Sequence, residues 1–376
     1  MVSSPSLCPP PMDQKIRFCT SADGVKLAYA ISGEGPPLVM LSSWLTHLEH
    51  QWRSLAWRPW LEAFSREHTV VRHDSRGCGL SDRDIGDVSF ETWVRDLERV
   101  IDAAGVERFT LLGPCWGGPI AMEYAARHPE RVANLVLYGT YVRGRLRRPA
   151  LPNQAERARV LLELLRLGWG KENHAFLQVW ASQFQPGGTL EHLRSWSEQM
   201  RAATSADTAE RLMAITYDVD MTQTARRIQC PVLVVHPERD MVVPIEEGRA
   251  LAGLIHDCRF VQLDSENHML LADEPAWPHF LDEVRRFLGE AAPARAPERD
   301  RLRLGELTPR ERSVLERIAR GLDNAEIAAS LGLSEKTVRN HITRVFDKIG
   351  VDHRYQAIVL ARDAGLGAAS VPAAAR

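Results

Sequence analysis

Between about Met12 and Glu290 the chain alternates short apolar runs with helical patterns, and this alternation sets its fold class. The runs VKLAYAISG, PPLVMLSS, TVVRHD, FTLLGP, NLVLYG, PVLVVHP and RFVQLD are strand-length and rich in β-formers. Near-continuous apolar runs of this kind predict strands buried on both faces. Helical stretches such as SFETWVRDLERVIDAAG and GPIAMEYAARHPERV fall between them. The pattern predicts an α/β domain, doubly wound around a mostly parallel sheet. One region, about 141–227, breaks the alternation. It holds helical stretches such as QAERARVLLELLRLGW and NHAFLQVWASQF but no convincing strand. An all-helical insertion between two strands predicts a cap over the end of the sheet, where α/β folds bind ligands.

The segment AAPARAPERDRLR, 291–303, is rich in Ala, Pro and Arg without apolar periodicity, and reads as a linker. A compact all-α unit follows over about 304–366. A length of 376 residues fits this plan of one sizeable domain, 12–290, with an appendage. The formal charge of −2 gives no global attraction to nucleic acid or membrane, so any basic surface must be local. The six cysteines Cys8, Cys19, Cys78, Cys115, Cys230 and Cys258 are scattered, with no C-x-x-C pair. That spacing suggests neither a zinc site nor a disulfide framework, and no metal or organic cofactor is implied. No apolar run approaches the roughly 18–20 residues of a membrane span, so the expectation is a cytoplasmic protein with reduced thiols and no membrane partner.

In LLGPCWGGPIAMEYAARHPE, residues 111–130, an apolar run meets a tight turn and a helix opening with two glycines. Gly113, Cys115 and Gly117 form the G-x-?-x-G frame of a strained strand-to-helix turn that exposes a nucleophile. Here the central residue is a cysteine, an intrinsically good nucleophile that a neighbouring imidazole can activate. Asp240 follows the buried run PVLVVHP, and His268 lies in the loop after RFVQLD. The order nucleophile, acid, histidine is the one this turn requires. PPLVMLSSW sits where an oxyanion loop belongs. Across five ordered stretches, including HDSRGCGLSD at 73–82, the first 290 residues resemble the α/β-hydrolase superfamily. That resemblance implies a catalytic set of Cys115, Asp240 and His268, with Ser43 and the backbone N–H groups of Trp44 and Trp116 facing the oxyanion or ligand. Two departures bear on activity: cysteine replaces the usual serine, and Ser42-Ser43 replaces the usual His-Gly of the oxyanion loop. Cys-His-Asp sites occur on this fold, as in the dienelactone-hydrolase family. The 73–82 stretch is expected to be a structural turn network, with Cys78 inert. The tryptophans are expected mostly in the core. The run Arg143, Arg145, Arg147 and Arg148 reads as a solvated face, with a carboxylate-bearing ligand as the alternative.

In the last unit, Thr308 and Glu311 form a capping box and Pro309 suits the first helical turn. A helix over 309–320 should end at Gly321. A second helix, 324–331, turns at Gly332, and Ser334 caps a third over about 335–349, with Val338, Ile342, Val345 and Ile349 buried. Two helices joined by a short glycine turn predict a helix-turn-helix whose second helix enters the major groove. Lys336, Arg339, Arg344 and Lys348 against Asp347 make that helix basic. Arg339 and Asn340 suit guanine and adenine edges, while Lys336, Thr337, His341 and Arg344 suit the backbone around them; Thr343 belongs to the same DNA-binding set. The L-T-x-R-E opening, N-x-E-I-A, L-x-x-S-x-x-T-V-x-x-H and K-I-G-V together resemble the LuxR-type helix-turn-helix. The resemblance implies binding of double-stranded DNA as a homodimer through a last helix over 355–363, with RNA polymerase as a further partner.

Together the halves imply a one-component transcription regulator in which a hydrolase-like domain senses a small, apolar or acyl- or lactone-type molecule. The alternative is an active ester, thioester or lactone hydrolase carrying a tethered DNA-binding domain. A third reading is a thiol sensor of oxidants or electrophiles.

Overall fold

The computed structural model describes residues 13–43, 45–86, 88–148, 154–169, 174–290, 307–319, 322, 324–349, 357, 361 and 366. The chain forms two compact units, Met1–Ala291 and Ala292–Arg376. In the first, eight strands form one sheet: β1 (Gln14–Thr20), β2 (Lys26–Ser32), β3 (Pro37–Met40), β4 (Thr69–His73), β5 (Phe109–Pro114), β6 (Val132–Tyr138), β7 (Val232–Pro237) and β8 (Cys258–Leu263). Their order is β1-β2-β4-β3-β5-β6-β7-β8. β1 pairs antiparallel with β2 and β2 antiparallel with β4; every pairing from β4 to β8 is parallel. β5, β6 and β7 each lie between two parallel neighbours and are buried almost throughout, as their apolar runs predict. The eighth strand, β1, goes beyond the seven runs read from the sequence. QKIRFCT alternates polar and apolar residues and stays half-exposed at the sheet edge, so it lacks a buried run's signal.

Helices α1 (Leu48–Arg53), α2 (Trp57–Ser65), α3 (Phe90–Ala104) and α4 (Gly117–Arg127) precede the insertion. The insertion itself comprises α5 (Gln154–Gly168), α6 (His174–Phe184), α7 (Leu190–Ala203), α8 (Ala206–Asp218) and α9 (Thr222–Ala225). Its described residues contain no strand beyond an isolated bridge from Arg143 to Asp220. α10 (Ile245–Leu254) and α11 (Ala276–Glu290) complete the unit. The core is aromatic-rich. Trp60 packs on Phe280 at 4.7 Å and on Tyr138 at 4.9 Å, and Trp57 stacks on Trp196. Trp60 and Trp196 are almost wholly buried, as expected of core tryptophans.

The 73–82 stretch is structural. Buried Asp74 accepts backbone hydrogen bonds from Leu80 (2.8 Å) and Leu48 (3.2 Å). Arg76, also buried, joins Asp96 at 2.6 Å and Asp23 at 2.8 Å. Burial pushes the Cys78 thiol up to about 12, which keeps it an unreactive thiol at neutral pH.

In the second unit α12 (Pro309–Ala319), α13 (Asn324–Leu331) and α14 (Glu335–Ile349) pack around Val314, Leu315, Ile318, Ile327, Val338, Val345 and Ile349. The capping box is present: Thr308 N–H donates to Glu311 (2.8 Å) and Glu311 N–H to Thr308 Oγ1 (3.3 Å). Gly332 turns the chain in the left-handed region at φ +63°, and Ser334 Oγ caps α14 by accepting from Thr337 N–H at 3.2 Å. Gly321 and most of the expected helix over 355–363 lie outside the described residues, as do the linker 291–303 and Trp44. No helix among the described residues is long and apolar enough to cross a membrane.

Candidate functional site

Cys115 sits between β5 and α4 with φ +46°, alone among the described non-glycine residues in the left-handed region. A side chain there costs about 1–2 kcal/mol, so the surrounding structure must hold it. Its N–H donates to the Tyr138 carbonyl at 2.9 Å, and its carbonyl accepts from Thr140 Oγ1 at 2.5 Å and from Gly118 N–H at 3.1 Å. The two elbow glycines are there for close approach. A Cβ on Gly117 would stand 2.5 Å from the Ser42 carbonyl, and one on Gly118 would overlap Thr140 Oγ1. The loop after β3 is thereby brought against the turn. Ser43 in that loop is buried, and its hydroxyl has no hydrogen-bond partner among the described residues.

The three residues separated in sequence meet here. His268 Nδ1 lies 2.6 Å from Asp240 Oδ2, and the imidazole also hydrogen-bonds Cys115. Asp240 Oδ1 accepts from the backbone N–H groups of Val242 (2.8 Å) and Val243 (2.9 Å), so both carboxylate oxygens are held. Burial alone would favour neutral imidazole, but the Asp240 carboxylate and the Cys115 sulfur overcome it and hold His268 at about 10. Burial likewise opposes the Asp240 charge, yet His268 and the backbone donors keep its carboxyl below the usual range. His236, at the end of β7, escaped the sequence reading. Its Nε2–H donates to the Val243 carbonyl at 2.9 Å and steadies the loop that carries Asp240. Thr140 is another such residue: only the fold brings it under the Cys115 carbonyl.

Cys115 opens onto a cavity of about 60 Å³, room for about two waters. Trp116, Trp180, Phe184 and Met213 give it an apolar wall, and Tyr141, Tyr217, Arg145 and Arg148 are among its other lining residues. The arginine run is therefore not a uniformly solvated face. Arg143 pairs with buried Glu247 (3.2 Å) and Arg147 with Asp218 (2.8 Å), whereas Arg145 and Arg148 reach the cavity. No group of His, Cys, Asp and Glu side chains among the described residues is placed to hold a metal ion.

On α14, Lys336, Arg339, Asn340, Thr343 and Arg344 are exposed, and their spacing lays them along one side of the helix. Thr337 and His341 are half-buried, and Thr337 Oγ1 bonds Ser334 Oγ at 2.8 Å within the cap. Lys348 departs from the expected basic face. Its Nζ pairs with Glu311 at 2.8 Å and ties α14 to the capping box of α12. Ile342 is half-buried, whereas Val338, Val345 and Ile349 are fully buried.

Comparison with known proteins agrees with both units. The family described as "alpha/beta hydrolase fold" matches residues 36–275, and "Bacterial regulatory proteins, luxR family" matches residues 305–361. The RutD protein of Azorhizobium caulinodans, whose name assigns it to carbamate hydrolysis, is 31% identical over 261 residues. That match spans 66% of this chain and 90% of the relative. The pyrrolizixenacetamide deacetylase of Xenorhabdus hominickii is 23% identical, covering 70% of this chain and 94% of that protein. A solved hydrolase from Pseudomonas aeruginosa superposes with a TM-score of 0.60 at 26% identity, covering 73% of this chain and 98% of that one. The chain therefore belongs to the alpha/beta hydrolase fold family and carries a C-terminal DNA-binding domain of the LuxR family, which makes it a transcription regulator with a hydrolase-like domain.

Proposed function

We propose that the hydrolase-like unit is the sensor of a one-component regulator: it captures a small acyl-type ligand at Cys115, and occupancy sets the affinity of the LuxR-type domain for DNA. The observation that carries the reading is the Cys115–His268–Asp240 arrangement on a strained elbow, opening on a capped cavity in a chain that also bears a helix-turn-helix. The Cys115 sulfur attacks the acyl carbon as its thiolate, paired with the imidazolium of His268, which the site holds in its protonated form. The carbonyl oxygen gains negative charge in this step. The Trp116 N–H, the Ser43 region and Trp44 are the candidate donors to it. Collapse of the adduct expels the leaving group, which takes the proton His268 carries and leaves a thioester on Cys115. Asp240 keeps the imidazole oriented throughout.

Full hydrolytic turnover is the second reading, favoured by the same intact Cys-His-Asp geometry. In the sensor reading the thioester persists; in the enzyme reading water cleaves it. On DNA, Arg339 and Asn340 read bases, and Lys336, Thr337, His341, Thr343 and Arg344 position the helix on the backbone. The protein acts as a homodimer on paired half-sites and contacts RNA polymerase. The test is the time course of p-nitrophenol release from p-nitrophenyl acetate by wild type and Cys115→Ala. A burst of about one equivalent in wild type alone supports a covalent receptor. Sustained release in wild type alone supports the enzyme, and equal slow release by both proteins refutes a nucleophilic Cys115.

A further inference from the structure

We propose that Arg145 and Arg148 form an anion subsite in the Cys115 cavity, and that the ligand captured there carries a carboxylate beside its reactive group. The inference rests on the reading of the cavity as a ligand site and adds the chemistry of the ligand. Four arginines open the cap within six residues. Two of them, Arg143 and Arg147, have carboxylate partners; Arg145 and Arg148 have none among the described residues. Among the described residues each guanidinium makes a single hydrogen bond: Arg145 to the Val242 carbonyl at 3.4 Å and Arg148 to the Arg143 carbonyl at 3.1 Å. A guanidinium has five N–H donors, so most of the donors on each remain for something else.

Their placement is fixed from below. Arg148 lies over the Tyr141 ring at 5.5 Å and Arg145 over the Tyr217 ring at 5.6 Å, and both rings line the same cavity as Cys115. Stacking of this kind holds a planar guanidinium in place without neutralising it. Two like charges share one small, largely apolar cavity. Burial and the neighbouring Arg145 both depress the Arg148 pKa, and the opposing carboxylate, Glu247, is already paired with Arg143. Adjacent, uncompensated guanidiniums are costly in such a site, and a bound anion removes the cost. A carboxylate suits the planar forks by bidentate pairing. The cavity's size restricts the ligand to a short chain or requires the cap to open for a longer one.

Two readouts on the full chain test this. The first is the rate of Cys115 alkylation by iodoacetate and by its neutral analogue iodoacetamide, followed by peptide mass. The iodoacetate-to-iodoacetamide ratio should be at least tenfold higher in wild type than in the Arg145→Gln/Arg148→Gln double variant, the ratio cancelling any change in the reactivity of the thiol itself. The second needs no reactive thiol: propionate, but not propionamide, should raise the melting temperature of wild type at matched ionic strength, and neither should raise that of the double variant. Unchanged ratios, or an equal propionate shift in both proteins, would overturn the subsite. If Cys115 resists both reagents, the nucleophile reading fails while the propionate shift still decides the anion site.

Discussion

Replacing Asp240 by asparagine should change how the stability of the hydrolase-like unit depends on pH, in a direction the site dictates. His268 is held at about 10 against an ordinary 6.5, so the folded state binds its proton across a range where the unfolded chain has lost it. The linked stability is fully present below about pH 6.5 and drains away as pH rises toward 10. At 1.36 kcal/mol per pKa unit the ceiling is on the order of 5 kcal/mol. The substituted side-chain amide retains a carbonyl for the Val242 and Val243 N–H groups but loses the charge that offsets the burial of His268. Cys115 keeps a share of the interaction, so the expected loss at pH 6 is about 2–4 kcal/mol. For a unit of this size that is roughly 5–15 °C in melting temperature. All ten tryptophans lie before residue 291, so their fluorescence follows this unit within the full chain. The melting temperatures of wild type and Asp240→Asn should be furthest apart near pH 6 and converge near pH 10. Other titrating groups are common to both proteins and cancel in the difference. A gap that stays constant from pH 6 to 10 would refute the charge coupling between Asp240 and His268.

Four further outcomes follow from the geometry. At the left-handed position 115, Cys115→Gly should be more stable than Cys115→Ala by about 1 kcal/mol in urea unfolding, the reverse of their order in a helix. Gly118→Ala should displace Thr140 from under the elbow and destabilise the unit by about 1–3 kcal/mol, with Cys115 alkylation slowed at the same time. Arg339→Ala should cost about 1–3 kcal/mol on the preferred DNA site and relax preference at one base, whereas Lys336→Ala should weaken all sequences alike and lower the salt slope by about 1. Lys348→Ala should leave that slope alone and lower the melting temperature of the DNA-binding unit, because its charge is committed to Glu311.

The features legible in the sequence were those written into local pattern. The central strands announce themselves as apolar runs because both faces are covered, and the elbow shows as a glycine-framed turn at Cys115. The helix-turn-helix shows through its caps at Thr308 and Ser334 and the turn at Gly332. What stayed hidden depends on neighbours distant in the chain. β1 carries no buried run because it is an edge strand. The four arginines from Arg143 to Arg148 look alike until Glu247 and Asp218 are seen to take two of them. Lys348 looks like one more cation on a basic helix, and only the packing of α14 on α12 shows its partner. Thr140 and His236 support the site through contacts that no spacing encodes.

Coupling between the two units requires that an occupied Cys115 site favour one state of the DNA-binding form over another; affinity without that difference would shift nothing. The measurement is the affinity of the full chain for a DNA site obtained by selection with the protein itself, before and after stoichiometric carboxymethylation of Cys115 by iodoacetate. Cys115→Ala, treated alike, serves as the control. A change of at least tenfold in wild type, on the order of 1.4 kcal/mol, with none in Cys115→Ala, is the expected result. Identical affinity and stoichiometry on DNA with Cys115 fully modified would contradict the proposal that the hydrolase-like unit is the sensor.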